Sequence, residues 1–280
     1  MSSLISVYHH HLIPGSPLVF GPGTWWIIHL TSYHCDTKEK IPDFLKFIHA
    51  VVSNIPCPTC RRNAIEYITN NDGSEYRHKV YNGKHVGMFL WMVNFHNDVN
   101  RRNNKDILKV NGLYSAYSTP NIQSKYIPDN PLIIGPGIWW VIHLLSYIAE
   151  TDTTKFSKFI KMVIKSLPCL TCKNNAIKYI SKNDSQKYLN IEHDNRNVGM
   201  YVWMSDFHNS VNEKNNLKLV PWKEGYSVYK HAYKVHTFYS LNIVHNNMKL
   251  QNITHNLRKT INSDELYAYN KKCKNPNCPH

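Results

Sequence analysis

Negative charge is scarce in this chain: 19 Asp and Glu face 33 Lys and Arg across 280 residues, a formal net charge of +14 at pH 7. A surface so biased attracts polyanions unless acidic partners neutralise it. Long apolar runs are also missing. No stretch of about 18 uninterrupted apolar residues occurs, so no membrane span is expected. Residues 1–11 lack the charged lead and the apolar segment of a secretory signal, so export by that route is not expected. There is no strand–Gly-x-Gly-x-x-Gly–helix unit, which excludes a Rossmann dinucleotide site. Nothing alternates long enough to demand a sheet. At 42% hydrophobic and 19% charged, the chain is nevertheless globular rather than disordered. Its length suits one large domain or two of ordinary size.

Cysteine is sparse too, but it is patterned. Cys57 and Cys60, Cys169 and Cys172, and Cys273 and Cys278 form close pairs, and Cys35 stands alone. A static disulfide scaffold joins distant elements of a small secreted chain. Local pairs point instead to redox chemistry or zinc. The redox reading rests on placement. Cys57 and Cys169 sit where helices open, and unpaired N–H groups and the positive end of the helix dipole favour thiolate there. Pro56 and Pro58 constrain the first turn and Arg61 and Arg62 follow it, while Lys173 follows the second pair. A dithiol held in this way exchanges disulfides readily. The zinc reading needs four ligands. All four cysteines serve only if the two halves meet, or His29 or His96 completes a site within one half. Cysteine spacing alone leaves both readings open.

An internal repeat organises the rest. Gly21-Pro22-Gly23, Trp25-Trp26 and His29 return as Gly135-Pro136-Gly137, Trp139-Trp140 and His143. Val86-Gly87-Met88 and Trp91 return as Val198-Gly199-Met200 and Trp203, and Tyr114 and Tyr117 return as Tyr226 and Tyr229. The offset is 114 early and 112 later, so a two-residue deletion lies between the first and second helices. So long a period is a duplication of domains rather than a solenoid. The expected organisation is a first domain at 16–117, a linker at 118–129, a second domain at 130–229 and a basic extension at 230–280.

Within each copy the periodicity is helical and the expected class is all-α, with bundles of four or five helices. A first helix over 24–33 places Trp25, Ile28, His29 and Ser32 on one face. A second begins at Pro42 and buries Phe44, Phe47, Ile48, Val51 and Val52. The third opens at the dithiol and stops at Asn70-Asn71-Asp72-Gly73. The fourth, over 85–103, carries Met88, Trp91, Met92, Phe95 and Val99 as its apolar stripe. A further helix is expected near 239–262. His96 and Asn100 lie four apart on the fourth helix and recur as His208 and Asn212. Polar side chains repeated beside an apolar stripe suggest either a bound polar ligand or satisfied core polar groups at a helix end.

Taken together, Trp25 with His29, Cys57 with Cys60, and Trp91 with His96-Asn97-x-Val99-Asn100 resemble the ERV/ALR family of FAD-dependent sulfhydryl oxidases. The second copy supplies Trp139 with His143, Cys169 with Cys172, and Trp203 with His208-Asn209-x-Val211-Asn212. The resemblance implies a helical bundle that holds FAD. Thr24, Trp25, His29, Tyr33, Trp91, His96, Asn97, Val99, Asn100 and Lys105 would line the first site. Trp139, His143, Tyr147, Trp203, His208, Asn209, Val211 and Asn212 would line the second. It also implies that Cys60 or Cys172 passes electrons to the flavin, while Cys57 or Cys169 exchanges with a protein dithiol substrate. Dioxygen would be the final acceptor, giving hydrogen peroxide, and no metal is required.

The chain departs from the family pattern in places. The cysteine often found two residues after the fourth-helix Trp is Val93 in one copy and Ser205 in the other. Lys105 aligns with Leu217, beside Lys218. Cys273 and Cys278 have the tail position of a shuttle disulfide, and Cys35 reads as a buried free thiol. The family is generally a homodimer, and a tandem copy can instead form an intramolecular pseudo-dimer. Rival readings are a degenerate scaffold, or a basic nucleic-acid-binding protein with zinc at its CxxC motifs, although no recognised nucleic-acid motif accompanies the charge. The Asn/Lys/Ile/Tyr-rich composition suits an AT-rich genome, and viral members act in the host cytoplasm or virion. The mitochondrial intermembrane space is the other location expected.

Overall fold

A computed structural model describes residues 12–81, 83–118, 124–149 and 152–245, with side chains as far as 233. Each copy contributes five helices. The first copy runs α1 (Pro17–His34), α2 (Ile41–Ser53), α3 (Pro58–Asn70), α4 (Gly87–Arg102) and α5 (Val110–Ser118). The second runs α6 (Pro131–Ile148), α7 (Thr153–Ser166), α8 (Leu170–Lys182), α9 (Gly199–Lys214) and α10 (Trp222–His245). The all-α expectation holds. Two small hairpins are added, β1 (Val80–Tyr81) with β2 (Lys84–His85), and β3 (Glu192–His193) with β4 (Arg196–Asn197). Two residues per strand are too few to show as alternation. Asp194 and Asn195, both at positive φ, make the second tight turn.

Helix α1 begins at Pro17, seven residues before the expected Thr24, and runs through Pro22. Gly21-Pro22-Gly23 reads as a break, because proline lacks the N–H that would bond four residues back. Here that loss falls near the helix start, beside Leu18, which is 75% exposed. Water can therefore serve the freed carbonyl. The glycines answer a different need. A Cβ on Gly23 would lie 1.9 Å from the Ile134 carbonyl oxygen, and one on Gly137 would lie 2.0 Å from that of Phe20. These equivalent residues let α1 and α6 cross backbone to backbone.

The crossing joins the copies into a single hydrophobic core running from Phe20 and Trp26 to Tyr226 and Tyr229. Phe20 packs on Trp140 with ring centroids 5.7 Å apart, and the equivalent residues Phe47 and Phe159 meet at 5.9 Å. Equivalent residues that touch each other are the mark of a two-fold relation. At the rim Lys155 pairs with Asp43 at 3.1 Å. Helix α6 is long and apolar enough to cross a membrane, with mean hydropathy 1.5, yet 56% of that stretch is buried in the fold. Its apolar surface faces α1 on one side and α9 on the other.

Candidate functional site

In the first copy α1 and α4 lie side by side and bring two sequence signatures together. Trp25 and His29, four residues apart, share one face of α1. On α4, His96 meets both of them. The His29 Nε2 and His96 Nδ1 atoms are 2.9 Å apart, one donating and the other accepting. The Trp25 and His96 rings stack at 3.9 Å with their planes 3° apart. Phe95 sets its ring against the Trp25 indole at 5.1 Å and stacks on Tyr67 of α3 at 4.7 Å. An aromatic chain thus connects the dithiol helix to the histidine pair.

The second copy repeats the arrangement. His143 Nε2 and His208 Nδ1 are 2.9 Å apart, Trp139 stacks on His208 at 4.0 Å, and Phe207 bridges Trp139 to Tyr179. Burial drives the first-copy His29 far below the ordinary histidine value, with His96 adding to the effect. His96 falls to about 3 through burial and the nearby Lys105 cation, and His143 falls to about 4 through burial. These imidazoles are neutral at physiological pH. The Nδ1 atoms of His29 and His143 are buried without a partner among the described residues. The same unmet polar atom in both copies is one that a bound ligand would satisfy.

Each CxxC is closed as a disulfide, with Cα atoms 5.2 Å apart in both pairs. Cys57 caps α3 and its Sγ accepts the Cys60 N–H at 3.2 Å; Cys169 does the same for Cys172 on α8. The cap position gives the first sulfur of each pair a donor that stabilises negative charge. A closed disulfide offers no thiolate to zinc. Cys35, by contrast, is 3% exposed and burial pushes its thiol up to about 12, which keeps it unreactive.

Several expected site residues lie elsewhere. Trp91 and Trp203 sit in the core, 0% and 1% exposed, and their indole N–H groups donate to the Asn71 and Asn183 carbonyls. Thr24 lies at the α1–α6 crossing and donates to the Phe20 carbonyl. The Asn97 amide pairs with both the N–H and the carbonyl of Leu108, and Asn209 pairs with Val220 in the same way. Asn100 donates to Asp106 O, and Asn212 to Lys218 O. The asparagines therefore hold the loop that follows their helix. Val99 and Val211 are half-buried against the core. Lys105 is exposed near the start of that loop, and Leu217 takes its place in the second copy. Cys273 and Cys278 lie outside the described residues.

Tyr33 continues the α1 face and packs on Tyr114 and Phe89, and Tyr117 closes over it and donates to the Trp26 carbonyl. In the second copy Tyr147 meets Tyr226 and Tyr233, and Arg196 lies over its ring at 4.5 Å. The repetition of Tyr114 and Tyr117 as Tyr226 and Tyr229 was the signal for these rings, though spacing assigned them no role. One difference separates the copies. Phe89, Val93 and Leu113 form an apolar cluster in the first. In the second, Tyr201, Ser205 and Gly225 replace them and line a recess with His143 and His208.

The profile of the Erv1/Alr family matches this chain twice, at 22–118 and 136–233. The chain is similar to the FAD-linked sulfhydryl oxidase of African swine fever virus (isolate Tick/Malawi/Lil 20-1/1983), with 31% identity over 103 residues, covering 35% of this chain and 81% of that protein. The proteins of the same name from the Pig/Kenya/KEN-50/1950 and Warthog/Namibia/Wart80/1980 isolates are each 30% identical over the same length. No solved structure gives a significant match. With both signatures built twice and the profile covering more than half its length, the chain belongs to the Erv1/Alr family.

Proposed function

We propose that this chain is an FAD-linked sulfhydryl oxidase with two working units that introduces disulfides into protein dithiols. The observation that carries this reading is the Trp–His–His cluster beside a capped dithiol helix, repeated with the same spacings in both copies. The residues fit a flavin dinucleotide: flat aromatic faces at Trp25 and Trp139, and unpartnered Nδ1 atoms at His29 and His143. In the first copy Lys105 adds a cation for the phosphates. Bound FAD would supply a two-electron acceptor.

The chain's own part is thiol–disulfide exchange. A substrate thiolate attacks Cys57 Sγ, and the Cys57–Cys60 bond breaks with Cys60 leaving as thiolate. The second substrate thiol, giving up its proton, then attacks the mixed disulfide. Substrate departs oxidised, and Cys57 and Cys60 are left reduced, with the Cys60 N–H available to stabilise a Cys57 thiolate. Overall, two thiols and dioxygen become one disulfide and hydrogen peroxide. The equivalent contacts across α1 and α6 support an internal pseudo-dimer as the working form. The location that goes with this reading is the host cytoplasm or the virion.

Oxidation of dithiothreitol by cysteine variants tests this. Cys60→Ser and Cys172→Ser should each leave roughly half the rate, as expected of two independent sites. The double variant should lose about 100-fold or more. A double variant that still oxidises dithiothreitol would sink the reading.

A further inference from the structure

The two dithiols sit in unequal electrostatic surroundings, one nearly neutral and one strongly basic. Residues 41–71, which carry the first, hold Lys46, Arg61 and Arg62 against Asp43 and Glu66, a net charge of +1. The equivalent 153–183 holds seven lysines and no carboxylate, a net charge of +7. Three of these lysines, Lys158, Lys161 and Lys165, recur at three- and four-residue intervals and so share one face of α7. They line a groove of about 350 Å³ with Met162, Ser166 and, from the end of α1, His34. The three are exposed and pair with no carboxylate among the described residues. Three carboxylates on neighbouring stretches of chain are already engaged: Asp36 pairs with Lys40 at 2.5 Å, and Asp43 and Asp152 pair with Lys155. In the first copy the equivalents of Lys161 and Lys165 are His49 and Ser53, of which Ser53 is buried.

We infer that this groove docks an acidic segment of a protein substrate and presents the substrate's dithiol to Cys169–Cys172, an inference that rests on the thiol-oxidase reading. Position supports delivery. Lys165 precedes Cys169 by four residues, so their Cα atoms lie at most about 14 Å apart. Charge supports the occupant. A cleft lined by one sign of charge concentrates the opposite sign at its mouth. This chain holds no matching segment of its own beyond the described parts: residues 1–11, 82 and 119–123 carry no carboxylate, 150–151 carry Glu150 alone, and 246–280 carry Asp264 and Glu265 against six Lys and Arg. The size favours a peptide. Lys158 and Lys165 are separated by about 10 Å along the helix, the reach of about three extended residues. The first copy, without the strip, takes substrates with no such preference.

Fluorescence anisotropy of an Asp/Glu-rich peptide without cysteine, titrated with the full chain at low salt, reads docking apart from turnover. The Lys158→Gln/Lys161→Gln/Lys165→Gln variant should bind it about tenfold more weakly, the low end of electrostatic steering effects. Lys46→Gln should bind as the wild type does. With a reduced dithiol peptide bearing the same acidic flank, and with Cys60→Ser leaving only the second dithiol at work, kcat/KM should fall by a similar factor while dithiothreitol oxidation is unchanged. Equal binding by wild type and triple variant would overturn the proposal. So would a single-stranded oligonucleotide of equal charge that binds the wild type more tightly than the peptide and loses that advantage in the triple variant. A wild type that docks the peptide but leaves dithiothreitol reduced would overturn the oxidase reading and leave docking standing.

Discussion

Three buried imidazoles, those of His29, His96 and His143, give up water and charge together. Their folded values lie below the free histidine value near 6.5, so between those limits the unfolded chain binds more protons than the folded one. Stability is therefore fully present above pH 6.5 and is lost as pH falls. The expected loss is about 1.4 kcal/mol per pH unit for each such histidine. Urea unfolding between pH 7.5 and 5, above the carboxylate range, should show midpoints falling with pH; a flat profile would contradict neutral burial. Spacing made half of this site legible. Trp25 and His29 lie on one face because four residues make about one helical turn. The roles of Asn97 and Trp91 were not legible, because they depend on chain that returns from elsewhere. Asn97 meets Leu108, 11 residues on, and Trp91 meets the carbonyl of Asn71, 20 residues back.

At the scale of elements, the α1–α6 crossing decides how the copies meet. Gly23→Ala places a methyl group against the backbone of Ile134 and Ile138, and neither can swing aside as a side chain would. The expected cost is about 3 kcal/mol, the upper end for overpacking. That corresponds to a Tm lower by roughly 6–12 °C. Gly21→Ala, two residues away with open space around the new methyl, should be neutral or stabilising by about 0.5–1 kcal/mol. Equal Tm values for the two variants would show that the helices do not touch there. The helices themselves were readable from apolar spacing and from Asn70-Asn71-Asp72-Gly73. The early start of α1 was not, since Gly21-Pro22-Gly23 signals a break unless the partner helix is known. That partner, α6, lies 114 residues away in the chain.

Across the whole molecule, duplication has kept the aromatic and histidine geometry and let its surroundings diverge. One copy keeps Lys105 and an apolar Phe89–Val93–Leu113 cluster. The other has Leu217, the Tyr201–Ser205–Gly225 recess and a lysine-rich dithiol arm. Conserved spacing with divergent charge is what two units of one chemistry with different substrate preferences would show. Flavin content of the intact purified chain tests the central claim most directly. Denaturing the protein and identifying and counting the released flavin should give two FAD per chain. A protein that carries none, and takes up none when FAD is supplied, would contradict the account.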